Sequence, residues 1–242
     1  MEYFADIHCH IIPGVDDGPE SLEESLGMLK IAAQEGITDI IATPHYKAGR
    51  RGASPRTILE RLECLQKAAK ERGIPVRLYP GNEIYCFDGM GEALETGRIL
   101  TLNGTDRVLI EFSPMDSYIH MRNALDGLMG LGYVPVAAHV ERYGCLLKHW
   151  EYVEELKRMG VEIQVNISGL AGEQGYVARR FTRRLLKQQL VDYVATDAHD
   201  GKRRAPYIRQ CLQRLSRNCS AAYVEAVAWR NAFKLMKRIE EP

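Results

Sequence analysis

Short apolar runs alternate with longer amphipathic stretches along most of the 242-residue chain. The short runs are six to nine residues long and predict β-strands. There are seven of them, at residues 3–8, 39–44, 76–84, 107–112, 134–139, 161–166 and 191–199. Strands that alternate with helices are typical of β-α units arranged around a parallel sheet.

The longer stretches carry apolar residues at helical spacing. Residues 21–36 repeat leucine at this spacing, and Gly36 predicts the end of the helix. Residues 54–73 predict a second helix that begins at the N-cap residue Ser54. Residues 221–239 predict a last amphipathic helix.

The organisation of the chain is that of one domain. No internal repeat and no low-complexity linker interrupts the pattern, so a single domain over residues 1–242 is predicted. A chain of this length is common among α/β barrels. The prediction is therefore an α/β barrel of about seven β-α units.

Composition narrows the class of partner. The 32 Lys and Arg balance the 32 Asp and Glu, so no net positive charge is available to hold a nucleic acid or an anionic membrane. The chain has no run of about 18 apolar residues and no secretion signal at its start, which predicts a cytoplasmic protein without membrane insertion. The six cysteines form no Cys-x-x-Cys pair, so reduced thiols are expected.

Histidines and carboxylates gather where the predicted strands end. These residues are His8, His10, His45, Glu83, Glu111, His139, Asp197 and His199. In a β/α barrel the carboxyl ends of the strands converge on one face, so residues far apart in sequence should meet there. Residues two apart on a strand point the same way, which pairs His8 with His10 and Asp197 with His199.

Imidazole and carboxylate together suit manganese, iron or zinc. So many donors exceed the need of one ion, which favours two or three ions that share bridging carboxylates. Paired ions hold a hydroxide and neutralise the charge of a transferring phosphoryl group, so the pattern predicts phosphoester hydrolysis.

Some neighbouring residues receive other predictions. Asp6 is expected to orient a neighbouring histidine rather than bind metal. Spacing alone does not choose between Asp16 and Asp17 as a ligand. His120 and His149 lie in helical patterns and are expected to stay outside the site.

Two arginines follow the predicted ligands closely, Arg142 in "AHVERY" and Arg204 in "DAHDGKRRAP". The guanidinium group matches phosphate oxygens, so both are predicted to hold the substrate; a surface ion pair with Glu141 is the alternative for Arg142. The stretch "CLQRLSR", from Cys211 to Arg217, has the Cys-x5-Arg spacing of cysteine-dependent phosphatases. It lacks the glycine-rich loop that such chemistry needs, so it is expected to be an ordinary helix.

These residues resemble the polymerase and histidinol phosphatase (PHP) superfamily, and within it the bacterial capsule and exopolysaccharide type of protein-tyrosine phosphatase. The collinear match comprises "DIHCHIIPGVDDG" (6–18), "TPH" (43–45), "GNEIY" (81–85), "LIEFS" (109–113), "VAAHVERY" (136–143), "QVNISGLAGEQG" (164–175) and "ATDAH" (195–199). The resemblance implies a distorted, TIM-like (β/α)7-type barrel with up to three metal ions, most often manganese.

The resemblance also implies a role for each residue. The first ion would be held by His8, His10, Glu83 and Asp197; the second by Glu83, Glu111 and His139; the third by Asp17, His45 and His199. It selects Asp17 over Asp16. Arg142 and Arg204 match the phosphate-contacting arginines of the family.

The predicted function is hydrolysis of protein phosphotyrosine by a metal-held water or hydroxide. The resemblance implies that the partner is a bacterial tyrosine kinase of polysaccharide export. A PHP-type phosphatase for a small molecule such as histidinol phosphate is one alternative. A regulator that binds phosphotyrosine without turnover is another, although a complete ligand set argues against it.

Overall fold

The computed structural model describes residues 3–49 and 52–236. In these ranges the chain forms strands β1 Phe4–Cys9, β2 Ile37–Ala42, β3 His45–Tyr46, β4 Arg77–Pro80, β5 Glu83–Tyr85, β6 Arg107–Glu111, β7 Val134–Ala137, β8 Glu162–Asn166 and β9 Tyr193–Ala195. Each of the seven predicted strands is present. The third is divided into β4 and β5, and the second ends at Ala42, before the short additional strand β3.

All paired strands run parallel. One sheet has the order β1-β2-β4 and the other the order β3-β5-β6-β7-β8-β9. Because β3 follows β2 and β5 follows β4, the second sheet continues the first around a curve. A parallel bridge between Cys9 and Ala198 brings the last strand back to the first. The predicted α/β barrel of parallel strands is therefore confirmed as a curled sheet.

The predicted strand over 76–84 is interrupted and the one over 39–44 ends early, at Ala42, and both differences have a local cause. Pro44 has no amide hydrogen to donate to a neighbouring strand. The side chain of Asn82 donates to the carbonyl of Pro44 (2.9 Å) and accepts from the amide of Leu100 (3.0 Å). Asn82 thus satisfies backbone groups that the interrupted pairing leaves free, and it re-aims the chain just before Glu83.

The helices lie between the strands: α1 Leu22–Glu35, α2 Pro55–Glu71, α3 Met90–Glu95, α4 Tyr118–Gly130, α5 Gly144–Lys148, α6 Glu151–Met159, α7 Gly175–Lys187, α8 Arg209–Ser216, α9 Ala221–Glu225 and α10 Asn231–Met236. The ends of α1 follow the sequence prediction: Ser21 and Glu24 form a capping box, and Gly36 ends the helix at φ +94°. Ser54 caps α2 as predicted. Among the described residues, no helix combines the length and apolar character that a membrane crossing requires.

The predicted last helix over 221–239 is interrupted. A π-helical turn at Ala226–Arg230 separates α9 from α10, and positions 237–239 of the prediction lie outside the described residues. Within this turn Trp229 stacks on Phe233 with ring centroids 4.9 Å apart.

Apolar residues form two cores, one on each side of the curled sheet. The larger core lies between the sheet and the outer helices. The smaller one fills the inside of the curl with strand residues such as Ile7, Ile41 and Leu109, and Leu235 of α10 packs against them. The closed interior leaves the polar residues at the carboxyl ends of the strands as the face available for chemistry.

Candidate metal centre

The first and last strands meet at a cluster of buried donors. His8 and His10 lie at the end of β1, and Asp197 and His199 follow β9. The Nε2 atoms of His8 and His10 are 3.3 Å apart, and Asp197 Oδ1 lies 3.4 Å and 3.5 Å from them. His8 and His10 are completely buried. The pairing of residues two apart is as the strand geometry predicts.

Glu83, the first residue of β5, lies at the centre of the cluster. Its carboxylate oxygens lie 3.2 Å from His8 Nε2 and 3.3 Å from His10 Nε2. They also lie 2.8 Å from His45 Nδ1 and 2.9 Å from His139 Nε2. A carboxylate that faces four imidazoles from different strands has the position of a bridging ligand.

The remaining strand ends extend the cluster toward solvent. Glu111, the last residue of β6, has one oxygen 3.6 Å from His45 Nδ1 and the other 3.7 Å from His139 Nε2. Glu111 and His45 are half-buried, unlike Glu83. This side of the cluster is therefore partly open to solvent.

The structure distinguishes Asp16 from Asp17. Asp17 is exposed, and its Oδ1 lies 3.5 Å from His45 Nε2 and 3.6 Å from His199 Nε2. Asp16 Oδ2 instead accepts from His10 Nδ1 at 2.7 Å and from the amide of His45 at 3.0 Å. Although burial raises it, the hydrogen bond from His10 lowers the pKa of Asp16 to about 2. Asp17 thus faces the cluster, and Asp16 orients two histidines.

All nine sequence-predicted donors come together in four overlapping groups. These are His10, Asp17, His45 and His199; His8, His10 and Asp197; His8, Glu83 and His139; and His45, Glu83 and Glu111. The grouping differs from the one that the resemblance implies, because His10 also reaches the third group and His45 also reaches Glu83. His120 and His149 are exposed and belong to none of these groups.

The chemistry of the donor set fits divalent cations. The Nδ1 atoms of His8 and His10 are engaged by Gln164 and Asp16, which directs both Nε2 atoms toward carboxylates. Glu111 Oε2 and His199 Nε2 are buried without a hydrogen-bond partner among the described residues. Burial lowers the pKa of His8. The charges of Glu83 and Asp197 raise this pKa by more than burial lowers it, so the net shift is upward. Such a pocket attracts positive charge.

Two of these donors lie on unusual backbone. His139 has φ +30° and Asp197 has φ +54°, in the left-handed region that residues with a side chain seldom adopt. Strain of this kind persists where surrounding contacts over-determine it, and it concentrates at functional sites. Gly18 is constrained differently, because a Cβ there would lie 2.5 Å from the carbonyl oxygen of His10.

Sequence reasoning missed a chain of buried amides beneath the cluster. Gln164 Oε1 accepts from His8 Nδ1 (3.1 Å) and from the amide of His139 (2.8 Å). Gln164 Nε2 donates to Asn166 Oδ1 (2.9 Å), and Asn166 Nδ2 donates to Asp197 Oδ2 (2.8 Å). Both amides point the same way from β8. The alternation of Gln164 and Asn166 with the apolar residues Ile163 and Val165 in β8 was the available signal.

Replacing Gln164 with leucine is expected to weaken metal binding by about 10- to 100-fold, because His8 and His139 lose the group that orients them. Titration of the metal-free protein with Mn²⁺ measures this affinity. Gln66→Leu is the matched control. Gln66 lies on α2 and is hydrogen-bonded to the backbone of Val76 and Leu78, not to the cluster. Equal affinities of the Gln164 variant and the wild type would contradict the prediction.

Asp6 acts on the backbone rather than on a histidine ring. Its Oδ1 accepts from the amides of His8 (3.2 Å) and Thr196 (3.1 Å), and its Oδ2 accepts from the Thr196 hydroxyl. It therefore holds the end of β1 to the segment after β9. This agrees with the expectation that Asp6 orients a neighbouring histidine, here His8 through its backbone amide.

Both predicted arginines lie against the cluster. Arg142 Nη2 and Arg204 Nη2 (2.9 Å) contact Asp197 Oδ2, while Asp197 Oδ1 faces the histidines. Glu141 instead accepts from the amide of Asn166, so the alternative pairing of Arg142 with Glu141 is absent from the described contacts. Arg204 is 41% exposed, which leaves its guanidinium group accessible from a cleft.

This cleft, of about 580 Å³, adjoins the cluster and is called the arginine cleft below. Its lining includes Arg142, Arg203, Arg204, Asn166 and Asp197, with the exposed ring of Tyr207 at its edge. The guanidinium groups of this cleft can bind an anionic group, and the ring of Tyr207 adds an aromatic surface. A substrate held there would lie directly beside the donors.

No described cysteine belongs to a donor group of the cluster. All six are free, and Cys211 is buried within α8 as expected. Burial raises the pKa of the Cys211 thiol and of the Cys9 thiol, which is the opposite of what an attacking thiolate requires.

Comparison with known proteins decides the family. A model of the family described as capsular polysaccharide synthesis, CpsB/CapC, matches residues 4–237. The chain belongs to the CpsB/CapC family. The predicted membership of the capsule type of phosphatase is thereby confirmed.

Two relatives of the CpsB/CapC chain illustrate the similarity. Tyrosine-protein phosphatase CpsB of Streptococcus agalactiae is 32% identical over 237 residues, which cover 96% of this chain and 98% of the relative. Tyrosine-protein phosphatase YwqE of Bacillus subtilis is 35% identical over 208 residues, which cover 86% and 82%. The enzyme class predicted from the sequence is that of these relatives.

Solved structures agree with this placement in the CpsB/CapC family. A structure from work on YwqE of Bacillus subtilis and CpsB of Streptococcus pneumoniae, described as metal-dependent tyrosine phosphatases, has a TM-score of 0.86 at 32% identity and covers 91% of this chain and 89% of that chain. A mutant organophosphorus hydrolase from Deinococcus radiodurans has a TM-score of 0.63 at 15% identity and covers 97% and 93%. The second likeness shows the fold alone.

Proposed function

We propose that this chain is a metal-dependent protein-tyrosine phosphatase that hydrolyses phosphotyrosine on a protein of polysaccharide synthesis. The observation that carries the proposal is the convergence of nine imidazole and carboxylate donors beside two arginines. Relatives named tyrosine-protein phosphatases support the substrate class. The family description, capsular polysaccharide synthesis, supports the setting.

The cluster would hold two or three divalent ions, and manganese is the proposed metal. Its ligands would be His8, His10, Asp17, His45, Glu83, Glu111, His139, Asp197 and His199. Divalent ions in such a site make water nucleophilic at neutral pH and neutralise phosphoryl charge. The buried amides of Gln164 and Asn166 hold the ligands in place without adding charge.

The arginines would bind and orient the phosphoryl group. Arg142 and Arg204 reach the cluster from the solvent side of Asp197, so a phosphate in the arginine cleft meets both guanidinium groups. Guanidinium donors match phosphate oxygens and stabilise charge that develops during transfer. The ring of Tyr207 provides an apolar surface for the phenyl ring of the substrate.

The partner that we propose is a tyrosine-phosphorylated protein kinase of polysaccharide export. The family description, capsular polysaccharide synthesis, supports a partner in that process. A tyrosine phosphatase acting in that process requires a tyrosine-phosphorylated protein as its substrate. The open cleft beside the metal cluster suits a side chain presented by a polypeptide.

The test compares substrates and thiol chemistry in one set of assays. Protein loaded with Mn²⁺ is expected to hydrolyse a phosphotyrosine peptide at least about 10-fold faster than histidinol phosphate, a difference of roughly 1.4 kcal/mol in the barrier. Cys211→Ser is expected to leave the rate nearly unchanged, because Cys211 belongs to none of the donor groups and burial raises the pKa of its thiol.

Two results would overturn the proposal. Faster hydrolysis of histidinol phosphate would identify a small-molecule phosphatase. Measurable affinity for the phosphopeptide with metals bound and no hydrolysis would identify a non-catalytic regulator.

A further inference from the structure

Charge is unevenly distributed along this neutral chain. Residues 175–217 contain eleven Lys and Arg but three Asp and no Glu, whereas the whole chain contains 32 residues of each sign. This segment includes Arg203 and Arg204, which line the arginine cleft, so the positive region borders that cleft. A local positive field of this kind attracts anionic partners even when net charge is zero.

The basic residues of α7 lie on its solvent face. Arg180, Arg183, Arg184 and Lys187 are exposed, and α7 contains no acidic residue. The guanidinium group of Arg184 stacks over Trp150 at 3.7 Å. Arg180, Arg183 and Lys187 have no ion-pair partner within the described residues. Their positive charge is therefore available to a partner.

A small cleft joins α7 to α8. It has a volume of about 310 Å³ and is lined by Arg183 and Lys187 of α7 and by the half-buried Arg214 of α8. Leu186 and Leu215 form part of its floor. The name basic cleft is used below for Arg183, Lys187 and Arg214, which meet there.

The basic cleft lies next to the arginine cleft along α8. Cys211 lines the arginine cleft and Arg214 lines the basic cleft. Three residues on a helix correspond to roughly 4.5 Å along its axis. An extended peptide advances roughly 3.3 Å per residue. A polypeptide whose phosphotyrosine occupies the arginine cleft therefore reaches the basic cleft within a few residues.

The described lining of the basic cleft contains no acidic residue, and Glu35, Asp192 and Asp200 make other contacts. Glu35 accepts from the amides of Ile208 and Arg209, and Asp200 accepts from amides of the 202–204 loop. Asp192 pairs with Lys157 at 2.5 Å. Glu173, at the edge of the arginine cleft, is exposed and adds a negative charge there rather than in the basic cleft.

We propose that the basic cleft binds an anionic stretch of the same polypeptide that carries the phosphotyrosine. The anionic groups are carboxylates or additional phosphates a few residues from the site of hydrolysis. This inference rests on the proposed function, and it assigns to α7 and α8 the recognition of sequence around the target tyrosine.

The test uses Mn²⁺-loaded full-length protein and three phosphotyrosine peptides that differ only in flanking residues: neutral, glutamate-rich, or carrying a second phosphotyrosine. The anionic peptides are expected to have a KM at least about 5-fold lower than that of the neutral peptide. A few partly exposed ion pairs strengthen binding by about this factor. In the variant Arg183→Gln/Lys187→Gln/Arg214→Gln this difference should fall below about 2-fold, while kcat stays unchanged. Raised salt should weaken the wild-type preference.

A control variant with the same loss of charge is Lys30→Gln/Lys67→Gln/Lys70→Gln, whose lysines are exposed on α1 and α2. It should keep the preference for anionic peptides. Equal KM values for the three peptides on wild-type protein would overturn the inference and leave phosphotyrosine hydrolysis intact. A glutamate-only or phosphate-only preference identifies the anionic group and supports the inference.

An anionic membrane is the competing ligand for a basic helix. Sedimentation of the protein with phosphatidylglycerol vesicles distinguishes membrane binding from peptide binding. Vesicle binding that the triple variant loses, together with peptide KM values that it does not change, would overturn the peptide inference.

Discussion

Replacing Glu83 with glutamine is expected to lower kcat/KM for a phosphotyrosine peptide by at least about 10³-fold, which corresponds to several kcal/mol of lost charge stabilisation. Glu83 is buried and lies within 3.3 Å of four imidazoles. The amide removes a negative charge from the centre of the cluster and turns one acceptor into a donor. Metal content should fall together with activity.

The measurement combines metal analysis with peptide kinetics, before and after treatment with a chelator. Chelated wild-type protein should lose activity and regain it with Mn²⁺, whereas the Glu83 variant should stay inactive at the same Mn²⁺ concentration. Glu162→Gln is a matched control on strand β8, because Glu162 contacts Tyr193 and Arg107 rather than the cluster. An active Glu83 variant with full metal content would refute the bridging role.

Replacing Arg204 with alanine is expected to lower kcat by about 10²- to 10³-fold while metal content stays unchanged. Arg204 contacts the outer oxygen of Asp197, which Arg142 and Asn166 also contact. Asp197 therefore keeps Arg142 and Asn166 as partners in the variant. What the variant loses is the contact between Arg204 and the phosphoryl group of the substrate. Arg204→Lys should recover part of the rate, because one ammonium cannot reproduce a two-pronged contact.

Stopped assays on a phosphotyrosine peptide and metal analysis of the same samples check this prediction. Lys202→Ala removes an exposed cation from the same loop and serves as the control. A loss of metal equal to the loss of rate would show that Arg204 supports the cluster instead of the substrate.

The parts of the site that sequence predicted are those governed by local geometry. Alternation along a strand places His8 and His10 on one face, and the convergence of parallel strands brings Glu83 and His139 to them. Neither rule requires knowledge of the loops. The same rules predicted the parallel barrel.

The parts that sequence missed depend on how loops and amides pack. Spacing did not separate Asp16 from Asp17, because a tight loop decides which carboxylate turns toward His10. Gln164 and Asn166 have no charge and no motif, so their hydrogen bonds were visible only in the folded chain. The strand breaks did have signals, the missing amide hydrogen of Pro44 and the side chain of Asn82, and these were overlooked.

The bridge between Cys9 and Ala198 has a consequence for biosynthesis. His8 and His10 emerge from the ribosome at the start of translation, but Asp197 and His199 emerge only after most of the chain has been made. A nascent chain that stops before residue 197 lacks Asp197 and His199, two of the nine donors. Completion of the donor cluster is thus a late event, so tight binding of divalent ions there would wait until synthesis of the chain is nearly complete.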